Sequence, residues 1–170
     1  TPQSGYWDMS YCIEALEKLK QQGKIRFTGF GCHFAPESFL DAIQKHGRFF
    51  DVCSFPYNIR HRAGEQILPA AEQAELGIVT IKAFARGELL KDRDLRGKDR
   101  GLPRSMVAYV LQNRLVDTCI CGVISEAELR ENLSASWTGL TVEERRRLET
   151  LAAGSPCRNY QWLENDWQLV

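Results

Sequence analysis

Residues 75–90 have the sequence ELGIVTIKAFARGELL, in which a short apolar run leads into a polar segment that carries a glycine. The run Ile78–Ile81 is entirely β-branched and does not alternate with polar residues, which is typical of a strand buried on both faces. Similar runs, rich in β-branched or aromatic residues, occur at three other places: Ile25–Phe30, Asp51–Phe55 and Asp117–Cys121. The sequence therefore predicts four short strands.

Helical patterns separate the predicted strands. Their starts are marked by capping residues or proline, and glycine follows several of their ends. We predict an N-cap at Ser10 and a capping box formed by Ser125 and Glu128, with Leu129 and Leu133 facing inward from the helix that follows. The predicted helices begin at Ser10, Pro36, about Glu65, near Pro103, Ser125 and Thr141, and Pro69 is expected in a first turn. This alternation of strand and helix predicts an α/β fold with a parallel sheet.

Composition and charge narrow the class of protein. The chain has 170 residues, of which 44% are hydrophobic and 26% are charged, and its formal net charge is zero. A neutral chain argues against a protein built around a nucleic-acid or anionic membrane surface, because phosphate binding needs excess positive charge. No apolar run is long enough to span a membrane, and the first residues lack the pattern of a signal peptide. We predict a soluble cytoplasmic protein.

Domain organisation follows from the length. We predict one domain over residues 1–153, followed by an aromatic C-terminal tail over residues 154–170. Four strands are half of the eight that a (β/α)₈ barrel requires. The longest stretch without a helical or strand pattern is Arg86–Leu102, and a loop of that length is more often functional or mobile than idle. A solvated surface loop is the alternative interpretation of this charged stretch.

The six cysteines predict reduced thiols rather than a disulfide framework, because most of them lie in apolar runs. Cys119 and Cys121 lie on the same side of a strand, but no second pair completes a metal site, and core packing is favoured. The tail carries only Cys157, whereas an iron–sulfur cluster needs four cysteines. We predict no metal site.

Four segments together resemble the second half of an aldo-keto reductase, a family of NAD(P)-dependent carbonyl reductases built on a (β/α)₈ barrel. They match, in order, the regions of the family's strands five to eight. The segments are Ala15–Phe30, Phe50–Asn58, Glu75–Leu90 and Cys119–Leu133. The resemblance implies a barrel-like fold of which this chain supplies about the second half.

The resemblance also implies a site for NADP or NAD in the loops that follow the strands. The Ser-Asn pair that holds the carboxamide in the family is Gly31-Cys32 here, and the family's glutamine on strand six is Ser54. Glu131 and Asn132 match the pair that reads adenine. The full set of implied cofactor-binding residues is Gly31, Cys32, Ser54, Phe84, Arg86, Gly87, Gly122, Ser125, Glu131 and Asn132. His33 is expected to line the substrate pocket.

The family's catalytic Asp, Tyr, Lys and His lie on the first four βα units, and no residue of this chain maps onto those roles. Val123-Ile124 stands where the family often has a basic residue, which leaves the choice between NAD and NADP open. Two hypotheses for the function follow. In the first, the chain is the cofactor-binding half of a reductase for small carbonyl compounds and is inactive on its own. In the second, it is a non-catalytic half-barrel that forms a homodimer through its open strand edges.

Overall fold

The computed structural model describes residues 9–33, 36–91 and 101–153. Within these ranges four parallel strands form one sheet, in which the order across the sheet is the order along the chain. The strands are β1 (Gly29–Gly31), β2 (Val52–Pro56), β3 (Gly77–Ile81) and β4 (Thr118–Ile120). The predicted parallel α/β sheet is confirmed. All four carboxyl ends consequently lie along one edge of the sheet, which we call the carboxyl edge.

Seven α-helices flank the sheet in the described part of the chain. They are α1 (Ser10–Gln21), α2 (Pro36–His46), α3 (Leu68–Gln73), α4 (Glu88–Lys91), α5 (Leu102–Leu111), α6 (Glu126–Ser134) and α7 (Val142–Ala152). Three short 3₁₀ turns cover Gly47–Phe49, Ala63–Gln66 and Ala85–Gly87. None of these helices is both long and apolar enough to cross a membrane.

Several predicted boundaries are wrong. Ser10 is the first residue of α1 rather than its cap, because Met9 takes the N-cap position. The helix predicted from Glu65 is a 3₁₀ turn followed by α3, which puts Pro69 in the first helical turn, where its missing N–H costs nothing. The 3₁₀ turn packs so closely on Phe55 that position 64 requires glycine, since a Cβ there would lie 2.7 Å from the Phe55 ring.

Strand β1 is shorter than the predicted run Ile25–Phe30. Phe27 is 64% exposed, and the Thr28 N–H donates to the Asp51 carboxylate at 2.7 Å. The Thr28 hydroxyl also donates to the Phe49 carbonyl at 2.8 Å. The Thr28 N–H is therefore bound by a side chain, although the Thr28 carbonyl already accepts from the backbone N–H groups of Asp51 and Val52 at 2.8 and 3.1 Å.

The stretch Arg86–Leu102, predicted to be irregular, begins with a 3₁₀ turn and α4. Residues 92–100, which make up most of its charged part, and the predicted tail over residues 154–170 lie outside the described residues.

The core has two parts. The larger part lies between the sheet and its helices and is anchored by aromatic rings, with Phe30 at 4.7 Å from Phe39 and 4.8 Å from Phe50 between centroids. The smaller part joins the loops at the carboxyl edge to α5 and α7, and we call it the second core. It consists of Ile59, Ala85, Leu89, Leu102, Met106 and Leu148. These residues hold the loops that follow β2 and β3 in place.

The prediction that Leu129 and Leu133 face inward is wrong. They are 44% and 47% exposed, whereas the buried residues here are Asn132 on α6 and its C-cap Ala135, which point in other directions around the helix. Both leucines instead line a groove between β4, α5 and α6.

Candidate cofactor site at the carboxyl edge

Ligands of parallel α/β sheets bind at the carboxyl ends of the strands, so a cofactor site is expected at this edge. The loops that follow β1, β2, β3 and β4 all leave from the carboxyl edge. Nine of the implied residues lie at this edge, in the loops that leave it or on the helix that one of them enters, while Ser54 lies within β2. The nine are Gly31, Cys32, Phe84, Arg86, Gly87, Gly122, Ser125, Glu131 and Asn132.

Gly31, Cys32 and Ser54 are brought together. Gly31 is paired with Ser54 in the ladder, and the Cys32 N–H donates to the Ser54 carbonyl at 3.0 Å. A Cβ on residue 31 would approach the Ser54 carbonyl oxygen to 3.2 Å, which favours glycine. None of the three residues carries an amide side chain.

His33, in the loop after β1, lies within electrostatic reach of two basic residues that follow β3. Its pKa lies below the usual range of histidine, first because of burial and then because of the positive charges of Lys82 and Arg86. Burial and the charge of Arg86 likewise lower the pKa of Lys82. Three basic side chains therefore converge within electrostatic reach of one another at the carboxyl edge, in a chain whose net charge is zero. We call them the basic cluster.

Lys82 was missed by the sequence reasoning. The available signal was its position directly after the buried strand Ile78–Ile81, where a cation in a barrel-like fold faces the carboxyl edge. Its backbone is also unusual, with a φ of +62°.

The turn after β3 has a strained backbone. Ala85 and Arg86 adopt positive φ values of 48° and 60°, as does Gly87 at 86°. For a non-glycine residue this conformation costs about 1 kcal/mol or more, and it persists only where the surroundings enforce it. Burial of Ala85 and Leu89 in the second core enforces it here, and the Gly87 N–H donates back to the Phe84 carbonyl at 2.9 Å. The exposed Arg86 side chain is therefore presented on a backbone that is already fixed.

Asn58 is a second residue that the sequence reasoning did not assign. It is fully buried, and its Nδ2 donates to the Lys82 carbonyl at 2.9 Å. Its Oδ1 accepts from the backbone N–H groups of Arg60 and His61 at 3.0 and 2.9 Å. One side chain thus shapes the loop after β2 and ties it to the basic cluster.

The loop after β4 leads into the N-terminus of α6. The Ser125 hydroxyl accepts from the Glu128 N–H at 3.2 Å, as predicted. The Glu128 carboxylate, however, accepts from the Ile124 N–H at 2.9 Å rather than from Ser125. This helix terminus therefore already carries a carboxylate, with which a phosphate group would compete.

Glu131 and Asn132 point to different surroundings. The Glu131 carboxylate accepts from the Gly101 N–H at 3.1 Å, which ties α6 to the start of α5. Asn132 is buried and lines the groove between β4, α5 and α6.

Tyr57 directly follows β2, but it is not placed as a proton donor. Its hydroxyl lies 3.3 Å from Asn113 Nδ2 and 3.3 Å from a Glu65 carboxylate oxygen, and burial is the main cause that raises its pKa to about 12. A catalytic acid needs a pKa nearer to the working pH. In the part of the chain that the structure describes, no three His, Cys, Asp or Glu side chains form a group that could hold a metal ion.

Solved structures provide the comparison. An aldo-keto reductase from Bacillus halodurans, in its holo form, superimposes with a TM-score of 0.68 at 26% sequence identity, over 88% of this chain and 58% of that one. The chain has a partial aldo-keto reductase fold. An aldo-keto reductase from Klebsiella pneumoniae in complex with NADP and acetate superimposes with a TM-score of 0.65 at 22% identity, over 84% of this chain and 54% of that one. No protein-family profile and no curated protein sequence matches the chain.

The extent of the match agrees with the four-stranded sheet. This chain spans about half the length of the aldo-keto reductases that it matches. The predicted resemblance and the predicted fold class are confirmed: an α/β chain with four parallel strands corresponds to about half of a barrel enzyme. The individual site residues stay predictions.

Proposed function

We propose that this chain binds a nicotinamide dinucleotide, NADP or NAD, along its carboxyl edge and forms the cofactor-binding half of an aldo-keto-reductase-like carbonyl reductase. The observation that carries the proposal is the basic cluster, which gathers His33, Lys82 and Arg86 at the edge where barrel enzymes bind their ligands. The fold match to reductases supports the same assignment.

Different residues of the chain would contact the diphosphate, the nicotinamide ring and the adenosine end of such a cofactor. Lys82 and Arg86 supply positive charge for the diphosphate, and the fixed turn ending at Gly87 lets the backbone approach it closely. Gly31, Cys32 and Ser54 offer a surface for the nicotinamide ring but no side-chain amide. Gly122, Ser125, Glu131 and Asn132 are left for the adenosine end. When bound, the cofactor supplies a hydride to a carbonyl carbon.

The proposal assigns binding rather than turnover to this chain. His33 directly follows the residues that offer the nicotinamide surface, and its lowered pKa favours the neutral imidazole. A neutral imidazole orients a small carbonyl compound by hydrogen bonding, but the proton donor must come from other structural elements. We expect this chain on its own to bind the cofactor and not to reduce aldehydes.

A binding titration tests the assignment. The fluorescence of NADPH and of NADH measures their affinity for the unaltered chain and for the variants Lys82→Met and Arg86→Gln. Both substitutions remove a charge and roughly keep the length of the side chain. Each variant should weaken binding about tenfold, the effect of losing one charged hydrogen bond. Lys45→Met and Arg48→Gln are matched controls, because both residues precede β2 at the opposite edge. Equal affinity in all five proteins, or no binding by the unaltered chain, would contradict the proposal.

The second candidate, a half-barrel that forms a homodimer, is favoured by a different observation. Apolar side chains next to the outer edge of β4 are exposed, with Ile120 at 60% and Ile124 at 95%. Strand β4 is the edge of the described sheet, and exposed apolar side chains beside an open strand edge favour pairing with a second copy. The mass of the chain in solution distinguishes the two candidates. The second candidate predicts a dimer that Ile120→Lys dissociates. The matched change Val142→Lys, on the exposed surface of α7, should leave that dimer intact.

A further inference from the structure

Cys119 and Cys121 form a pair of touching thiols outside the residues that the proposed function uses. Cys119 lies within β4 and Cys121 just after its end, so both side chains leave the same face of the strand. Their sulfur atoms are 3.7 Å apart. Both side chains are partly buried and line the groove between β4, α5 and α6, which has a volume of about 450 Å³.

We propose that Cys119 and Cys121 form a redox-active dithiol, which peroxides oxidise to a disulfide within the chain. The sulfur atoms are already in contact, and both face the open groove, which admits a small oxidant. The site takes hydrogen peroxide or a small organic hydroperoxide as its oxidant.

Forming the bond requires a local shift of the backbone. Residues two apart in a strand have Cα atoms about 6.6 Å apart, which is near the upper limit for a disulfide, but their parallel side chains leave the Cβ atoms farther apart than the roughly 4 Å that a disulfide needs. The ladder with β3 ends at Ile120, so the backbone of Cys121 is not held by strand pairing and can move towards Cys119.

The two thiols are not equivalent. The hydrogen bond from Cys121 is the main cause that lowers the pKa of Cys119, against the opposing effect of burial. The same hydrogen bond and burial raise the pKa of Cys121. Cys119 is therefore the first to ionise, and a thiolate is the nucleophile that peroxide oxidises.

The reaction balances with one peroxide. The Cys119 thiolate attacks a peroxide oxygen and breaks the O–O bond. Its sulfur is oxidised to sulfenic acid, and the other oxygen leaves and takes a proton to become water. The Cys121 sulfur then attacks the sulfenic sulfur, and the S–O bond breaks. The leaving hydroxyl takes the thiol proton and forms a second water. Two thiols and one hydrogen peroxide thus give one disulfide and two waters.

Peptide mapping of the unaltered chain tests the proposal directly. Trypsin cleavage after Arg114 and Arg130 releases the peptide 115–130, which contains Cys119 and Cys121 and no other cysteine. After one equivalent of peroxide this peptide should be lighter by about 2 Da, the mass of two hydrogens. It should also resist alkylation until dithiothreitol is added. Three outcomes would overturn the proposal: both thiols remain open to alkylation, a stable sulfinic acid forms at Cys119, or the peptide becomes linked to another peptide.

Variants separate the roles of the two sulfurs. In Cys121→Ser the sulfenic acid on Cys119 should persist and react with dimedone, because the second thiol is missing. Cys12→Ser is the matched control, since Cys12 is exposed on α1, and it should form the bridge at the unaltered rate. Cys53 is an internal control in every sample, because it is fully buried and burial raises its pKa to about 12. It should stay reduced. The mass of peptide 115–130 from the unaltered chain decides the outcome if a variant fails to fold.

Discussion

At the scale of single residues, buried polar side chains shape the carboxyl edge. Asn58 satisfies one backbone carbonyl and two backbone N–H groups from two different loops. Such a side chain contributes little net free energy when it is bonded, but its loss leaves buried groups unpaired. It therefore fixes the loop after β2 relative to the turn that carries Lys82.

We predict that Asn58→Ala lowers the free energy of unfolding by about 2–3 kcal/mol, because the Lys82 carbonyl and the Arg60 N–H lose their partner. Urea unfolding measures the change. Gln112→Ala removes an exposed amide, which accepts from Arg145 at 2.6 Å, and should cost less than about 0.5 kcal/mol. Equal effects of the two substitutions would show that Asn58 is not a structural tie.

Asp51 makes a pH-dependent contribution to stability. The hydrogen bond from Lys20 Nζ, at 2.8 Å, is the main cause that lowers its pKa, followed by the Thr28 N–H. Because the folded pKa lies below the unfolded one, the contribution is present above the unfolded value of about 3.8 and is lost as the pH falls through the folded pKa.

We predict that Asp51→Asn destabilises the chain at pH 7 and that the difference from the unaltered chain shrinks below a pH of about 3.8. Urea unfolding across this range measures it. In a Lys20→Met background the pH dependence of the Asp51→Asn effect should become smaller, since the main partner is missing. A difference that stays constant with pH would refute the assignment.

At the scale of elements, α7 is held by its first turn. Thr141 and Glu144 form a full capping box, in which the Thr141 hydroxyl accepts at 3.2 Å and the Glu144 carboxylate accepts from the Thr141 N–H at 2.8 Å. The other carboxylate oxygen of Glu144 accepts from Arg104 and from the Ser105 hydroxyl, both on α5. One side chain therefore both starts α7 and docks it onto α5.

We predict that Thr141→Ala costs about 1 kcal/mol and that Glu144→Ala costs roughly 2 kcal/mol, because only Glu144 has the second set of partners. Glu143→Ala is the matched control in the same turn. Glu143 is exposed, and its loss should cost less than about 0.5 kcal/mol. Thermal or urea unfolding ranks the three variants, and a ranking with Thr141 above Glu144 would contradict the docking role.

At the scale of the whole molecule, the second core links α7 to the candidate site. Leu148 is fully buried against the residues that hold the turn after β3, including Ala85 and Leu89. Leu129 on α6, by contrast, is 44% exposed. The two leucines therefore differ in how much packing each one contributes.

We predict that Leu148→Ala lowers the free energy of unfolding by about 2–5 kcal/mol, whereas Leu129→Ala costs less than about 1 kcal/mol. The substitution is the same, and only the burial differs. Hydrogen exchange should also speed up at the amides of Ala85, Gly87 and Leu89 in the first variant, because a cavity loosens the strained turn. Unchanged hydrogen exchange at these three amides would show that the second core does not stabilise the turn at the candidate site.

Local patterns predicted the elements that depend on neighbouring residues. The β-branched run Ile78–Ile81 forms the centre of β3, and Thr141 caps α7, because both depend on short-range periodicity or on a side chain bonding its own turn. The same reasoning misplaced Ser10 and the inward face of α6, since a cap or a buried stripe is chosen by what packs against it.

The four strands, the parallel α/β class and the likeness to part of an aldo-keto reductase could be predicted from the sequence, because periodicity and motif order are properties of the chain itself. The basic cluster, the tie made by Asn58 and the contact of Cys119 with Cys121 were set by folding. The first two bring together residues from different loops, and the third depends on side-chain rotamers in the groove. Spacing along a sequence fixes which face a residue takes, but only packing fixes which distant groups it meets.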